Sequence, residues 1–185
     1  MSLNLKVDRI RRPSVSRSVK LRPATPDDLE LLQDWDRQPQ VIAAKGDADR
    51  QWETELARHP DWREQLIAEV AGRPIGFVEI IDPSREDCQY WGGCIAADHR
   101  AIDIWIGERD ALGLGYGTQM LKQAIKRCFT DPTVQAILVD PRDGNRAAHR
   151  FYERLGFEYV VQRQFGDDSC FVYRLKRPGS PAANA

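Results

Sequence analysis

The sequence predicts an α/β (α+β) fold, and three observations predict it. Short segments alternate apolar and polar side chains, as strands do. Other segments repeat apolar residues every three or four positions, as helices do. Turn residues punctuate the boundaries between them. With 185 residues, 42% of them apolar and 30% charged, the chain can bury one sizeable core.

The elements follow in order. Residues 1–18 are basic and Ser-rich without apolar periodicity and read as a poorly ordered extension. Val19-Lys20-Leu21-Arg22 alternates and begins a domain spanning 19–176. Thr25-Pro26-Asp27-Asp28 reads as a helix start, with Thr25 as cap, Pro26 in the first turn and two acids at the positive helix end. Leu29, Leu32 and Trp35 form the stripe of that helix, and Pro39 is expected to end it. A second helix is expected over Asp49–Arg58, with Trp52 and Leu56 on one face. Gln65–Val70, the turn Ala71-Gly72-Arg73 and Pro74–Ile81 give a hairpin, and 82–98 a loop. In Ala101–Ile106, Ile102, Ile104 and Ile106 point one way, Asp103 and Trp105 the other. After the turn Gly113-Leu114-Gly115-Tyr116-Gly117 comes a helix striped by Met120, Leu121, Ala124, Ile125 and Phe129, stopped at Asp131-Pro132. Ala136–Val139 is a short buried strand, Asn145–Leu155 a helix closed by Gly156, and Phe157–Val161 and Phe171–Leu175 are the last strands. The Pro/Gly/Ala-rich tail 177–185 reads as flexible.

Bulk properties exclude several classes. A net charge of -1 argues against a global nucleic-acid or membrane partner. No apolar run approaches the roughly 20 residues of a membrane span. Cys88, Cys94, Cys128 and Cys170 form no C-x-x-C pair and the three histidines lie apart, so no metal site is expected. The chain reads as cytoplasmic with reduced thiols.

The chemistry concentrates in two blocks. In the first, a strand runs into a Gly-rich turn and then a helix. Glycines let backbone approach a phosphate, and the helix start presents unpaired N–H groups with partial positive charge. The turn lacks both the Lys-Ser/Thr of a nucleotide loop and the dinucleotide spacing. The second block reads Asp140-Pro141-Arg142-Asp143-Gly144-Asn145-Arg146-Ala147-Ala148-His149-Arg150-Phe151-Tyr152-Glu153-Arg154-Leu155-Gly156-Phe157.

Together these blocks resemble the GNAT superfamily of N-acetyltransferases, over roughly residues 19–176. Within it the chain is similar to the aminoglycoside 6'-N-acetyltransferases and to related siderophore-biosynthesis acyltransferases. Leu112 departs from the pattern, standing where the superfamily usually carries Gln or Arg. The resemblance implies a mixed, mostly antiparallel sheet with splayed central strands, flanked by helices. It also implies acetyl-CoA as acyl donor, no metal, and a small-molecule amine as acceptor, in a monomer or homodimer. The pantetheine arm is expected along Ile104, Trp105 and Ile106, and the pyrophosphate on amides of Leu114, Gly115, Tyr116, Gly117 and Thr118.

Residue roles follow. A protonated amine must lose a proton before it attacks a thioester. Asp103 is the candidate base or amine ligand, its other reading being a solvent-facing or ion-paired strand acid. Tyr152 matches the superfamily tyrosine that supports the departing thiolate, although such a ring can also simply pack on the sheet. Asn145 is read both as coenzyme ligand and as helix cap. A backbone N–H of 104–106 would polarise the acetyl carbonyl. His99 and His149 read as structural. Trp91, Trp105 and Asp98 are expected in the acceptor pocket with Asp103; Trp52, Trp62 and Tyr90 read as core. A polycationic aminoglycoside needs an acidic site. The segment 90–100 holds one acid, Asp98, while Asp82, Glu86 and Asp87 lie upstream. A siderophore-precursor or other small or peptidyl amine is the alternative acceptor. A non-catalytic acyl-CoA-binding regulatory module is the alternative class, against which stands the presence of both Asp103 and Tyr152.

Overall fold

The computed structural model describes residues 18–47, 49–92 and 95–179; the basic extension to residue 17 and the tail from residue 180 lie outside it. Seven strands form one sheet in the order β1-β2-β3-β4-β5-β7-β6. They are β1 (Val19–Pro23), β2 (Arg63–Val70), β3 (Arg73–Ile81), β4 (His99–Ile106), β5 (Ala136–Val139), β6 (Glu158–Phe165) and β7 (Asp168–Lys176). The helices are α1 (Leu29–Asp36), α2 (Pro39–Lys45), α3 (Trp52–Ala57), α4 (Tyr116–Cys128) and α5 (Arg146–Arg154). This is the mixed, mostly antiparallel sheet flanked by helices that the sequence leads one to expect.

Among the described residues the β4–β5 contact is the one parallel pairing in the sheet, and it is short. It runs through three residue pairs, His99 with Ala136, Arg100 with Ile137 and Ala101 with Leu138. Beyond Ala101, β4 continues to Ile106 beside β3 alone, because β5 ends at Val139. The strands therefore part and leave one edge of Ile102–Ile106 without a sheet neighbour.

Helix α4 crosses the sheet with Met120, Leu121, Ala124 and Cys128 buried. It is pinned to β1, where Gln119 Oε1 accepts from the Val19 N–H at 3.0 Å and Gln123 donates to the Val19 carbonyl at 3.0 Å. A second core gathers α1–α3 over the other face around Trp35, Trp52, Phe77 and Trp105. Gly107 ends β4 under Trp35, where a Cβ would stand 2.1 Å from the indole. The Trp35 indole N–H donates to Glu108 at 2.9 Å.

Several helix boundaries differ from expectation, and α4 begins at Tyr116, inside the Gly-rich turn rather than after it. Pro39 begins α2 rather than ending α1, which already stops at Asp36. A proline at the first helical position loses no hydrogen bond, since that N–H has no intrahelical acceptor. The helix expected from Asp49 starts only at Trp52. The Asp49 carboxylate accepts from the Gln51 N–H at 2.8 Å, and Gln51 takes a left-handed φ of 50°, which holds that stretch as a turn. The last hairpin is longer than its apolar residues suggest. Residues 158–164 of β6 are mostly exposed, so alternation leaves no mark there.

Candidate active site

Asp103 sits on β4 just past the point where β5 falls away, between two cavities. The first, about 110 Å³, lies in the gap between the parted strands; Ile104, Trp105, Asp140, Asn145, Ala148 and Tyr152 help to line it. The second, about 340 Å³, lies on the side of the 86–91 loop, with Glu79, Glu86, Asp87, Tyr90 and Trp91 in its wall. Asp103 and Arg50 line both.

On the first side, α5 supplies the side chains. Asn145 caps the helix, its side-chain oxygen accepting from the Ala148 N–H at 3.1 Å. Tyr152, two turns on, is 7% exposed. Burial, with Asp103 and Asp140 adding, pushes its hydroxyl well above the usual phenol range, so it is a neutral hydrogen-bond donor. His149 lies behind the site with Nε2 facing the Arg142 and Asp143 carbonyls at 3.0 and 3.1 Å and Nδ1 at 2.9 Å from the Tyr173 hydroxyl. Two carbonyl acceptors call for a proton on Nε2, so this ring holds the 142–145 turn in place.

The Gly-rich turn is separate from both cavities, beyond Gly107 and a short 3-10 turn at 109–111. Gly113 and Gly115 have φ of 72° and 82°. Gly115 is the N-cap of α4 and no side chain caps it. The N–H groups of Tyr116, Gly117 and Thr118 therefore open the helix without intrahelical partners. This donor set fits an anion. Leu114 is exposed and Ile106 packs against the main core.

The second cavity is where sequence reasoning fell short. Glu79 and Asp103 are direct cross-strand partners in the β3–β4 register. Arg50, from the 46–51 loop, lies between them. It donates from Nη1 to Glu79 Oε2 at 2.9 Å and from Nη2 to Asp103 Oδ2 at 3.0 Å. Its guanidinium lies 4.9 Å from the centroid of the Trp105 ring. Gln65 also donates to Glu79, at 3.0 Å. Tyr90 donates to Asp140 Oδ2 at 2.7 Å while its ring stacks on Phe165, centroids 4.5 Å apart. Burial, with Asp103 adding, pushes the Asp140 carboxyl up to about 8. Burial likewise raises Glu86, with Asp103 and Glu79 adding.

Of the expected pocket residues, Trp105 lines the first cavity and Trp91 the second. Both rings are also core: Trp105 stacks on Phe77 at 4.6 Å, and Trp91 packs edge-on to Phe165 at 5.4 Å. Trp52, Trp62 and Tyr90, read as core from the sequence, line the second cavity as well. Asp98 is not brought to the site. It precedes β4 at the far end, pairing with His99 Nδ1 at 2.7 Å, and four residues of extended strand separate it from Asp103. Glu79 and Asp140 carried readable signals, an acid inside an apolar strand and an acid at the carboxyl end of a parallel strand. Arg50 carried none.

Known proteins resemble this chain in sequence and fold. The acetyltransferase (GNAT) domain profile matches residues 24–165. The chain belongs to the GNAT acetyltransferase family. This GNAT enzyme is 30% identical over 156 residues to aminoglycoside N(6')-acetyltransferase type 1 of Klebsiella pneumoniae, covering 76% of this chain and 74% of that one. It is 23% identical to the lysine N-acyltransferase MbtK of Mycobacterium tuberculosis, over 95% of this chain and 88% of the relative. The crystal structure of aminoglycoside acetyltransferase AAC(6')-Ib with coenzyme A and kanamycin superposes with a TM-score of 0.76 at 26% identity, covering 86% of this chain and 95% of that one. Among the described residues no helix is long and apolar enough to cross a membrane, and no group of three or more His, Cys, Asp or Glu side chains could hold a metal ion. Cys88, Cys128 and Cys170 are free thiols.

Proposed function

We propose that this enzyme transfers the acetyl group of acetyl-CoA to a primary amine of a polycationic small molecule of the aminoglycoside 6'-amine type. The observation that carries the acceptor is the wall of the second cavity. Glu55, Glu79, Glu86, Asp87 and Asp103 line it. Its three arginines, Arg50, Arg58 and Arg63, are each already ion-paired within it. Such a wall favours a ligand carrying several positive charges, and the likeness to an aminoglycoside enzyme over three-quarters of the chain supports the same acceptor.

In this reading the free edge of β4 over 104–106 pairs with the pantetheine arm, a backbone N–H there polarises the acetyl carbonyl, and Asn145 steadies the arm. The amides of the 114–118 turn take the pyrophosphate. Asp103 accepts a proton from the bound ammonium, and the freed amine attacks the carbonyl carbon. As the C–S bond breaks, Tyr152 donates a hydrogen bond to the departing thiolate sulfur, and the second proton, lost from the nitrogen of the new amide, goes to that sulfur. The raised phenol favours sharing its proton over giving it up, since a thiolate is the weaker base. Trp91 and Trp105 wall the amine. Asp98 has no part, being at the wrong end of the strand. The domain is taken as 19–176, cytoplasmic, a monomer or homodimer, with no nucleic-acid or membrane partner.

The test is thiol release from acetyl-CoA across an amine panel at two ionic strengths. Polycationic aminoglycosides should be acetylated, with a KM that rises with salt as the acids are screened. A salt-independent KM for every accepted amine would remove the aminoglycoside reading. Turnover of a lysine-type amine alone would favour the second reading, for which the 95% coverage by the lysine N-acyltransferase speaks.

A further inference from the structure

Arg50 holds Asp103, the carboxylate that the proposed function assigns to the acceptor amine. Glu79 and Asp103 face each other across β3 and β4, a juxtaposition of like charges that is unfavourable unless a cation lies between them. Glu79 is 4% exposed, so water screens the pair poorly. The Arg50 guanidinium supplies the cation. It bridges the two carboxylates at 2.9 and 3.0 Å and lies over the Trp105 face at 4.9 Å, where a ring also attracts positive charge. It comes from a loop, between Gly46 with a φ of 86° and Gln51 with a φ of 50°, and not from the sheet that carries its partners. With Asp103 it lines both cavities and so stands at the neck between them.

We propose that Arg50 is a built-in competitor for the acceptor's cation site and thereby sets which amines react. This rests on the reading of Asp103 as the residue that receives the acceptor amine, and adds a specificity determinant to it. Carboxylates placed to bind one guanidinium can bind ammonium groups instead. While Arg50 is in place, Asp103 Oδ2 is committed to it. An incoming amine must compete with the guanidinium for Asp103, and a single ammonium gains there about what it takes away. A polycation has further ammonium groups for Glu79 and Glu86, and so displaces Arg50 with charge to spare. Arg50 thus selects against monoamines, by a competing interaction rather than by a clash.

The experiment compares wild type, Arg50→Met and Arg50→Lys in the full chain, with kanamycin as polycation and benzylamine as monoamine. Methionine keeps an apolar stem on Trp105 and removes the charge. Arg50→Met should raise kcat/KM for benzylamine about tenfold, mostly through KM, and change it for kanamycin by much less, narrowing the discrimination ratio by about the strength of one partly buried charge pair. Millimolar guanidinium chloride should restore the wild-type ratio in Arg50→Met at an ionic strength matched with sodium chloride. Arg50→Lys, which places a compact charge where a fork spanned two carboxylates, should fall between. An unchanged ratio, or a KM that rises for both amines, would overturn the proposal and make Arg50 a clamp or an acceptor ligand.

A readout independent of acetyl transfer keeps the proposal testable should neither amine be a substrate. Arg50 lies over Trp105 and within 5.8 Å of the Trp52 ring, so its displacement should alter tryptophan fluorescence. Kanamycin should produce that change in wild type at concentrations where benzylamine does not, and Arg50→Met should lack it. Fluorescence displacement without turnover would keep Arg50 in this role and remove the aminoglycoside as substrate; equal responses in wild type and Arg50→Met would overturn the role of Arg50. Should Arg50→Met fail to fold, Arg50→Lys carries both measurements.

Discussion

The two sides of Asp103 are built from different parts of the polypeptide. Toward the proposed coenzyme side the groups are mainly backbone: the unpartnered edge of β4 past Ala101, and the first amides of α4 behind Gly115. Toward the acceptor they are side chains brought from far apart, Arg50 from a loop, Glu79 from β3, Glu86 and Tyr90 from the 82–92 segment. A site made of backbone is fixed by local geometry and needs particular residues at particular spacings. A site made of side chain charge can be assembled from any segments the fold brings together. The first kind leaves a motif and the second does not.

That contrast can be broken most forcefully at Asp103, where the two sides meet. Asp103→Asn keeps the shape and removes the charge. Loss of a positioned base should lower kcat by about a hundredfold to ten-thousandfold. Calorimetric affinity for acetyl-CoA should persist, since the proposed phosphate site lies beyond Gly107. Loss of both would make Asp103 a structural member of the Arg50–Glu79 cluster.

Tyr152→Phe tests the coenzyme side next. A donor acting mainly in the transition state should, when removed, lower kcat by about a hundredfold with little change in KM. A change confined to KM would make Tyr152 a binding residue.

The Gly-rich turn sharpens the comparison through two neighbouring glycines. Gly115 is in the left-handed region at φ 82°, where a side chain costs about 1–2 kcal/mol. Gly115→Ala should lose that much in denaturant unfolding and weaken acetyl-CoA binding as the first amides of α4 shift. Gly117 lies inside the helix, and a Cβ there meets Phe151 at an ordinary 3.8 Å. Gly117→Ala should be neutral or stabilise by up to about 1 kcal/mol. Equal effects would show that conformation at Gly115 is not what the turn requires.

The last test reads stability alone and concerns Asp140. Its carboxyl is pushed up to about 8 by burial, with Asp103 adding. From about pH 4 to about pH 8, the folded protein therefore holds a proton that the unfolded chain has released, and wild-type stability falls as pH rises through that window. Asp140→Asn removes this dependence. Its Tm relative to wild type should rise across the window and level off above it. A constant difference would mean that Asp140 titrates alike in both states.

Much of the sheet was legible, because Ala136–Val139 and Ala101–Ile106 carry apolar runs and alternation that packing enforces. The α5 start was legible because Asn145 performs a job few residues can; the α4 start was not, because Gly115 caps the helix from within the Gly-rich turn. The 49–51 turn was hidden, since its geometry depends on one Asp49 carboxylate, and β6 was hidden because its side chains are exposed. On the acceptor side, the 90–100 segment beside β4 in sequence is itself poor in acid. Glu79 is instead the neighbour of Asp103 across the sheet, and the fold returns Glu86 and Asp87 to the same wall.

Gly107 has a bearing on how this chain could be re-engineered. A Cβ there would overlap the Trp35 indole, so no other amino acid fits while α1 keeps its seat on the end of β4. In a saturation library selected only for soluble expression, position 107 should return glycine while position 117 accepts several residues. A graft of loops 46–51 and 82–92 from another acetyltransferase leaves that seat untouched. The recipient should then take on a new substrate preference through two exchanged loop segments, with Gly107 kept as the fixed joint between the transplanted parts and the catalytic frame.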